Sequence, residues 1–254
     1  SSEVNDAMAS HDFSISAQIE RHSVTHFQCT PSMARILSAD AGTLNALSSL
    51  KKMLLGGEAL PLDLARSLKT SLAGQLLNMY GPTETTIWSS AAQVASNPQD
   101  ITIGRPIANT QIFVLDEGLN PTPVGVPGEL FIGGDGVVRG YLGRPELTKE
   151  RFIANPFSAD EHSRMYRSGD LVRYRSNGDI EYLGRLDNQV KLRGYRIELG
   201  EIESLIAADE GVADCVVIGP QSKDETEGLI GYVVPVSPVS TAQANDANSN
   251  RAHW

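Results

Sequence analysis

Along the chain the spacing of apolar residues changes several times, and each change marks an element. Phe13 to Arg21 carries apolar residues at helical intervals and reads as the end of an amphipathic helix, with Val24 to Gln28 a short strand. Thr30-Pro31 then supplies an N-cap and a first helical residue, and Met33, Ile36 and Leu37 give the next helix its apolar side. A second pair follows: strand Met53 to Leu55, a Gly56-Gly57 turn, and a helix over Pro61 to Leu72. Leu60, Leu64, Leu68 and Leu72 recur every four residues and place one stripe of that helix on a core. Alternation of strands and helices implies a mostly parallel sheet covered by helices.

Leu76 to Asn78 is an apolar strand that turns through Gly81-Pro82 into hydroxyl-bearing residues around Glu84. In open α/β sheets ligands bind beyond the carboxyl ends of strands, which is where this loop falls. From Ile101 the texture becomes strands and turns. Gln111 to Leu115 and Glu129 to Ile132 flank a Pro- and Gly-rich connection, and predict a small antiparallel unit beside the parallel sheet. Leu171 to Arg175 and Ile180 to Leu183 form a hairpin about Asn177-Gly178. The period then becomes helical again, with Leu199, Ile202, Leu205 and Ile206 on one face of a helix starting near Glu198. Cys215 to Gly219 and Leu229 to Val234 read as strands, and the Ser-, Ala- and Asn-rich stretch 235–254 as a disordered tail.

Composition narrows the function classes. The 254 residues carry 21 basic and 31 acidic side chains, a net charge of −10, which disfavours a nucleic-acid backbone or an anionic membrane as partner. Hydrophobic residues make up 41%, yet no apolar run approaches the roughly 18 residues of a membrane span, so a soluble cytoplasmic protein is expected. Cys29 and Cys215 lack the spacing of a metal knuckle or redox motif and are expected to be reduced and buried.

The densest chemistry lies in Tyr166 to Glu203, YRSGDLVRYRSNGDIEYLGRLDNQVKLRGYRIELGEIE, and in Leu76 to Trp88, LLNMYGPTETTIW. These blocks resemble the adenylate-forming superfamily, and most closely the adenylation domains of nonribosomal peptide synthetases. The likeness implies an α/β fold: residues 1–186 as the second half of the large adenylation domain, and 187–234 as the start of a small α+β lid domain. It further implies that a carboxylic acid, either an amino acid or a hydrophobic or aryl acid, is activated by ATP and Mg²⁺ as acyl-AMP. The acyl group then passes to the phosphopantetheine thiol of a carrier protein, with neighbouring synthetase modules as further partners. An acyl-CoA or aryl-CoA ligase and a non-catalytic nucleotide-binding module are the alternatives.

By the same resemblance Tyr80 stacks on adenine, Asn78 reads the base, and Gly57, Glu58 and Ala59 cover the other face. Asp170 binds the ribose hydroxyls, with Tyr182, Arg185 and Lys191 nearby. Thr83, Glu84 and Arg185 are the catalytic group, Glu84 holding Mg²⁺ and Thr83 a phosphate oxygen. Asp187 matches the hinge. Gln28, Leu54, Gly56, Met79, Ile87 and Trp88 match the acyl pocket, and their bulk favours a hydrophobic or aryl substrate. Gly128 to Leu142, GELFIGGDGVVRGYL, resembles a further motif, read as mainly architectural because its glycines do not sit between a strand and a helix. The family's phosphate loop, the acidic partner of a substrate amine and the terminal Lys have no counterpart here. The expectation is therefore a fragment, inactive alone.

Overall fold

The computed structural model describes residues 12–187, 189–192, 195–219 and 228–236, excluding the side chains at 191 and 196. The chain divides into two units, Ser1–Asp187 and Asn188–Trp254, so the division falls directly after Asp187.

The first unit opens with α1 (Ile15–Arg21), β1 (His26–Cys29), α2 (Pro31–Ser38), α3 (Ala41–Ser48), β2 (Lys52–Gly56), α4 (Leu62–Ser71) and β3 (Gln75–Tyr80). Strands β1, β2 and β3 pair in parallel, and β4 (Ser90–Gln93) and β5 (Arg105–Pro106) extend the same sheet antiparallel. Helix α4 buries the stripe its spacing predicts, with Leu60, Leu64, Leu68 and Leu72 all in the core beside Met53, Leu55 and Leu76. Thr30 caps α2 as expected, its hydroxyl accepting from the Met33 N–H at 3.2 Å.

The buried side of α2 differs from expectation. Pro31 and Ala34 face the core with Leu37 packed against it, whereas Met33 and Ile36 are exposed. The helix starts where expected, but its inward line runs Pro31, Ala34 and Leu37 in steps of three, and Met33 and Ile36 each lie one residue off that line. Helix α3 has no counterpart among the elements the apolar spacing predicts. Its small and polar residues give little periodic signal, although Asp40 caps it and Thr43, Ala46 and Leu47 are buried.

A second sheet is antiparallel throughout, in the order β10 (Ile180–Arg185), β9 (Arg164–Tyr174), β7 (Gly128–Gly134) and β6 (Thr110–Leu115), with β8 (Phe152–Ala154) also on β9. Helix α5 (Pro145–Arg151) precedes β8. The two sheets are stitched by the Ile103 and Ile180 N–H groups, which donate to the Ile180 and Gly104 carbonyls at 2.9 and 2.8 Å. Tyr80, the last residue of β3, is buried with Ile103, Ile112, Val172 and Ile180 of this second core. That brings the carboxyl end of the parallel strands onto β9 and β10.

In the second unit β11 (Gln189–Leu192) and β12 (Tyr195–Glu198) form a hairpin, α6 (Leu199–Ala207) follows, and β13 (Val212–Ile218) pairs antiparallel with β14 (Ile230–Pro235). Glu198 is the N-cap of α6 and Leu199 is buried. Leu205 is exposed, because Glu203 takes the strand-facing position instead: its Oε1 accepts from the Val217 N–H at 2.8 Å. Of the expected tail 235–254, Pro235 instead ends β14, paired with Val212, and the Val236 N–H donates to the Gly211 carbonyl at 2.9 Å, while 237–254 lie outside the described residues.

Candidate active site

Three strands bring the principal side chains together. In the β9–β10 ladder a register shift between Tyr182 and Gly184 sets Arg185 directly opposite Asp170. Such a bulge re-aims side chains, and here it turns the guanidinium onto the carboxylate. Arg185 Nη1 donates to Asp170 Oδ1 at 2.8 Å, while Nε and Nη2 engage Asp187 Oδ1 and Oδ2 at 2.5 and 2.7 Å. Arg185 Nη2 also donates to the Ser168 carbonyl at 3.1 Å. From β3, the Tyr80 hydroxyl donates to Asp170 Oδ2. Ser168 fixes the strand: its Oγ donates to the Leu130 carbonyl at 2.7 Å and accepts from the Asp170 N–H at 3.0 Å.

This cluster is largely removed from water, with the Asp170 side chain 5% and the Arg185 side chain 10% exposed. Burial opposes the charge on Arg185, but Asp187 and Asp170 outweigh it and hold the guanidinium above its ordinary value. Burial, and then the Asp170 charge, push the Tyr80 phenol far above its usual range. Tyr182 is pushed the same way by burial and Asp170, and its ring lies 6.4 Å from that of Tyr80, tilted 42°. One cation thus faces two carboxylates, with phenol rings beside them.

Beyond Tyr80 the chain turns into a short 3₁₀ helix, Thr83–Thr85, followed by Thr86 and Ile87 at φ of 61° and 73°. Two consecutive non-glycine residues in the left-handed region are costly and persist only where their surroundings hold them. The Trp88 N–H donates to the Thr86 carbonyl at 2.9 Å, and Thr86 Oγ1 to the Gly136 carbonyl at 2.7 Å. Glu84 is 7% exposed and accepts from the Tyr141 hydroxyl at 2.6 Å. No group of three or more His, Cys, Asp or Glu that could hold a metal ion occurs among the described residues. A single carboxylate with neighbouring hydroxyls fits Mg²⁺ that brings phosphate and water oxygens with it, rather than a metal caged by protein.

On β1 and β2 a third group forms. Trp88 Nε1 donates to Gln28 Oε1 at 3.1 Å, and the indole lies so close over Gly56 that an added Cβ would stand 2.4 Å from it. Met79 is buried, Leu54 is half-buried, and Gln28 and Ile87 are exposed. The Glu58 carboxylate is buried, and its Oε1 has no hydrogen-bond partner among the described residues. Its Oε2 accepts from the Ser32 N–H and Oγ–H at 2.9 and 2.7 Å, tying the turn after β2 to the start of α2. Glu58 and burial push the neighbouring Cys29 thiol up to about 12, burial being the larger cause. Cys29 and Cys215 are free thiols, half-buried rather than fully buried. At pH 8 Cys29 is expected to react with a disulfide reagent about a thousandfold more slowly than an ordinary thiol, whose pKa lies near 8.5–9. Labelling timed by mass spectrometry checks this, and equal rates would contradict it.

Residues 6–142 match the family model described as AMP-binding enzyme. The chain belongs to that family of AMP-binding, adenylate-forming ligases. Tyrocidine synthase 3 of Brevibacillus parabrevis is 46% identical over 222 residues, 86% of this chain and 3% of the relative. An artificially fused adenylation–PCP di-domain, NpsA-ThdA from Klebsiella oxytoca, matches in structure with a TM-score of 0.74 at 25% identity, over 94% of this chain and 44% of that one. A four-domain nonribosomal peptide synthetase, holo-AB3403 bound to AMP and glycine, is 40% identical with a TM-score of 0.62, over 92% of this chain and 17% of that one. This chain therefore spans less than half the length of each of these proteins.

Within this AMP-binding chain, Tyr80, Tyr182, Asp170, Arg185 and Asp187 form one connected group, and Thr83 and Glu84 lie just beyond Tyr80. Gln28, Gly56 and Trp88 form another. Asn78, two residues before Tyr80 on the same strand, donates its Nδ2 to the Thr102 carbonyl at 2.8 Å. The side chain of Lys191 lies outside the described residues. A shallow depression of about 630 Å³ lined by Arg144, Glu146, Leu147, Lys149 and Glu150 shares none of these residues. Ser168, Glu129 and Tyr141 also contact these groups, although the sequence patterns do not single them out. Glu129 pairs with Arg167 at 3.0 Å and accepts from the Gly169 N–H at 3.1 Å, holding the backbone before Asp170. A polar residue within an otherwise apolar strand, as Glu129 is in GELFI, is the available signal.

Proposed function

We propose that this sequence forms the ATP- and acid-binding part of an enzyme that joins an amino acid to AMP and passes it to the phosphopantetheine thiol of a carrier protein. The convergence of Tyr80, Asp170 and Arg185 from three strands is the observation that carries this reading. Asp170 gives up bonds to Tyr80 and Arg185 in exchange for the two ribose hydroxyls, a task its paired oxygens suit. Arg185, already held charged, then opposes the negative charge that builds on the α-phosphorus as the substrate carboxylate attacks and pyrophosphate leaves. The Thr102 carbonyl can only accept, so Asn78 must present Nδ2 to it, leaving Oδ1 as an acceptor for the adenine amino group. Tyr80 and Tyr182 offer rings for the base, and the Gly57 to Ala59 backbone its other cover. Glu84 and Thr83 would hold Mg²⁺ and a phosphate oxygen, the metal supplying positive charge between phosphates. Lys191 and the hinge role of Asp187 complete the assignment.

The acid is a small one. Trp88 read alone favours an apolar partner, but the indole is hydrogen-bonded to Gln28 and packed over Gly56, and on this reading it leaves room only for a small side chain. Glycine, bound in the 40% identical synthetase, fits that restriction. The complete polypeptide is expected to give ATP–pyrophosphate exchange with glycine, at least about tenfold less with alanine, and none with leucine, phenylalanine or benzoate. A preference for the bulky acids would overturn the substrate reading. Transfer to coenzyme A in place of a carrier protein would reassign the acceptor.

A further inference from the structure

We infer that Tyr141 is a positioning residue for the Glu84 carboxylate, and that the segment from Gly136 to Tyr141 acts as a clamp that sets the metal requirement of the site. This rests on the Mg²⁺–nucleotide role proposed for Glu84. The geometry is specific. The Tyr141 hydroxyl donates to Glu84 Oε1 at 2.6 Å, and the Glu84 carbonyl accepts from the Val138 N–H at 3.0 Å, so side chain and backbone of the same residue are held by one segment. The third tie is Thr86 Oγ1 to the Gly136 carbonyl at 2.7 Å, on the first of the two left-handed residues.

Tyr141 is itself fixed from behind. Its ring packs edge-on against Phe152 at 5.4 Å, Phe152 lies 5.2 Å from Tyr166, and the Tyr141 N–H donates to Thr148 Oγ1 at 2.9 Å. The hydroxyl therefore sits on a rigid base, and the carboxylate it touches has its rotation restricted. A monodentate carboxylate that must meet a small cation demanding near-ideal octahedral geometry gains from such restriction. The motif Gly128 to Leu142 thus reaches the chemistry through its final tyrosine while its glycines shape the path.

Tyr141→Phe keeps the ring on Phe152 and removes only the hydroxyl. In the complete polypeptide it is expected to weaken Mn²⁺ binding about tenfold in the presence of a non-hydrolysable ATP analogue, read from the electron paramagnetic resonance signal of free Mn²⁺. The Mg²⁺ concentration for half-maximal exchange is expected to rise by the same factor, with saturating Mg²⁺ restoring most of the rate. Thr148→Val, which loosens the tyrosine backbone, is expected to shift both quantities in the same direction by less, and serves if Tyr141→Phe does not fold. Unchanged metal affinity in the variant, or a uniform fall in rate with the same Mg²⁺ half-saturation, overturns the inference. Failure of the unmodified enzyme to bind Mn²⁺ with the nucleotide, or of Glu84→Gln to weaken it, overturns the functional reading of Glu84 instead.

Discussion

Asp170→Ala in the complete polypeptide is expected to lower ATP–pyrophosphate exchange by about a thousandfold or more, with most of the loss in nucleotide affinity. Two charge-assisted hydrogen bonds to ribose hydroxyls, at about 1.5–3 kcal/mol each, correspond to roughly two to four powers of ten. A second effect accompanies it. The Tyr80 hydroxyl loses its acceptor, and Arg185 keeps only Asp187 and the Ser168 carbonyl in a largely dry site. Breaking a buried ion pair from one side costs about 3–5 kcal/mol in general, and the retained Asp187 lessens that here. Asp170→Asn lessens the second effect: its one carbonyl oxygen can still accept from Tyr80 or from Arg185, though not from both, while the charge is lost. Isothermal calorimetry with ATP and the exchange assay, run on both variants, checks this. Near-normal ATP affinity in Asp170→Ala would remove Asp170 from the ribose.

The elements that position this residue are legible because their periods are clean. Leu60 to Leu72 repeats at four and is buried at each step, and Asn177-Gly178 permits only a tight turn, with Gly178 at φ 84°. Register is not legible in this way. Whether Arg185 meets Asp170 depends on a bulge between Tyr182 and Gly184, and no local pattern states on which residue a ladder slips. Contacts across long stretches of chain are equally hidden. Tyr141 lies 57 residues from Glu84, inside a motif whose wording alone reads as architectural. Glu58 shows the converse: a charged residue inside a recognised motif, one of whose carboxylate oxygens ties the turn after β2 to α2. Met33, Ile36 and Leu205 are apolar at plausible helical steps, yet exposed, because the inward face of a helix is set by what its neighbours pack against and by which polar group the neighbouring strand needs.

The size of the acid is where that hidden geometry has its largest consequence. Trp88→Ala removes the indole that covers Gly56 and is expected to raise the leucine-to-glycine ratio of exchange by about a hundredfold, since each methylene admitted to an apolar pocket contributes roughly 1–3 kcal/mol of discrimination. Glycine itself is expected to lose activity, because the enlarged space holds water and Gln28 Oε1 no longer receives the indole N–H. The reciprocal change, Gly56→Ala, cannot be absorbed in the same way. Its new methyl would meet not only the ring at 2.4 Å but the Met79 carbonyl at 2.7 Å, and β2 and β3 are paired at that step, Gly56 with Met79. The ring can turn, but the paired strand cannot withdraw without breaking the ladder, so Gly56→Ala is expected to abolish exchange with every acid while Trp88→Ala changes which acid is used. An unaltered acid preference in Trp88→Ala would mean that the indole is part of the core, and that the substrate lies against some other wall.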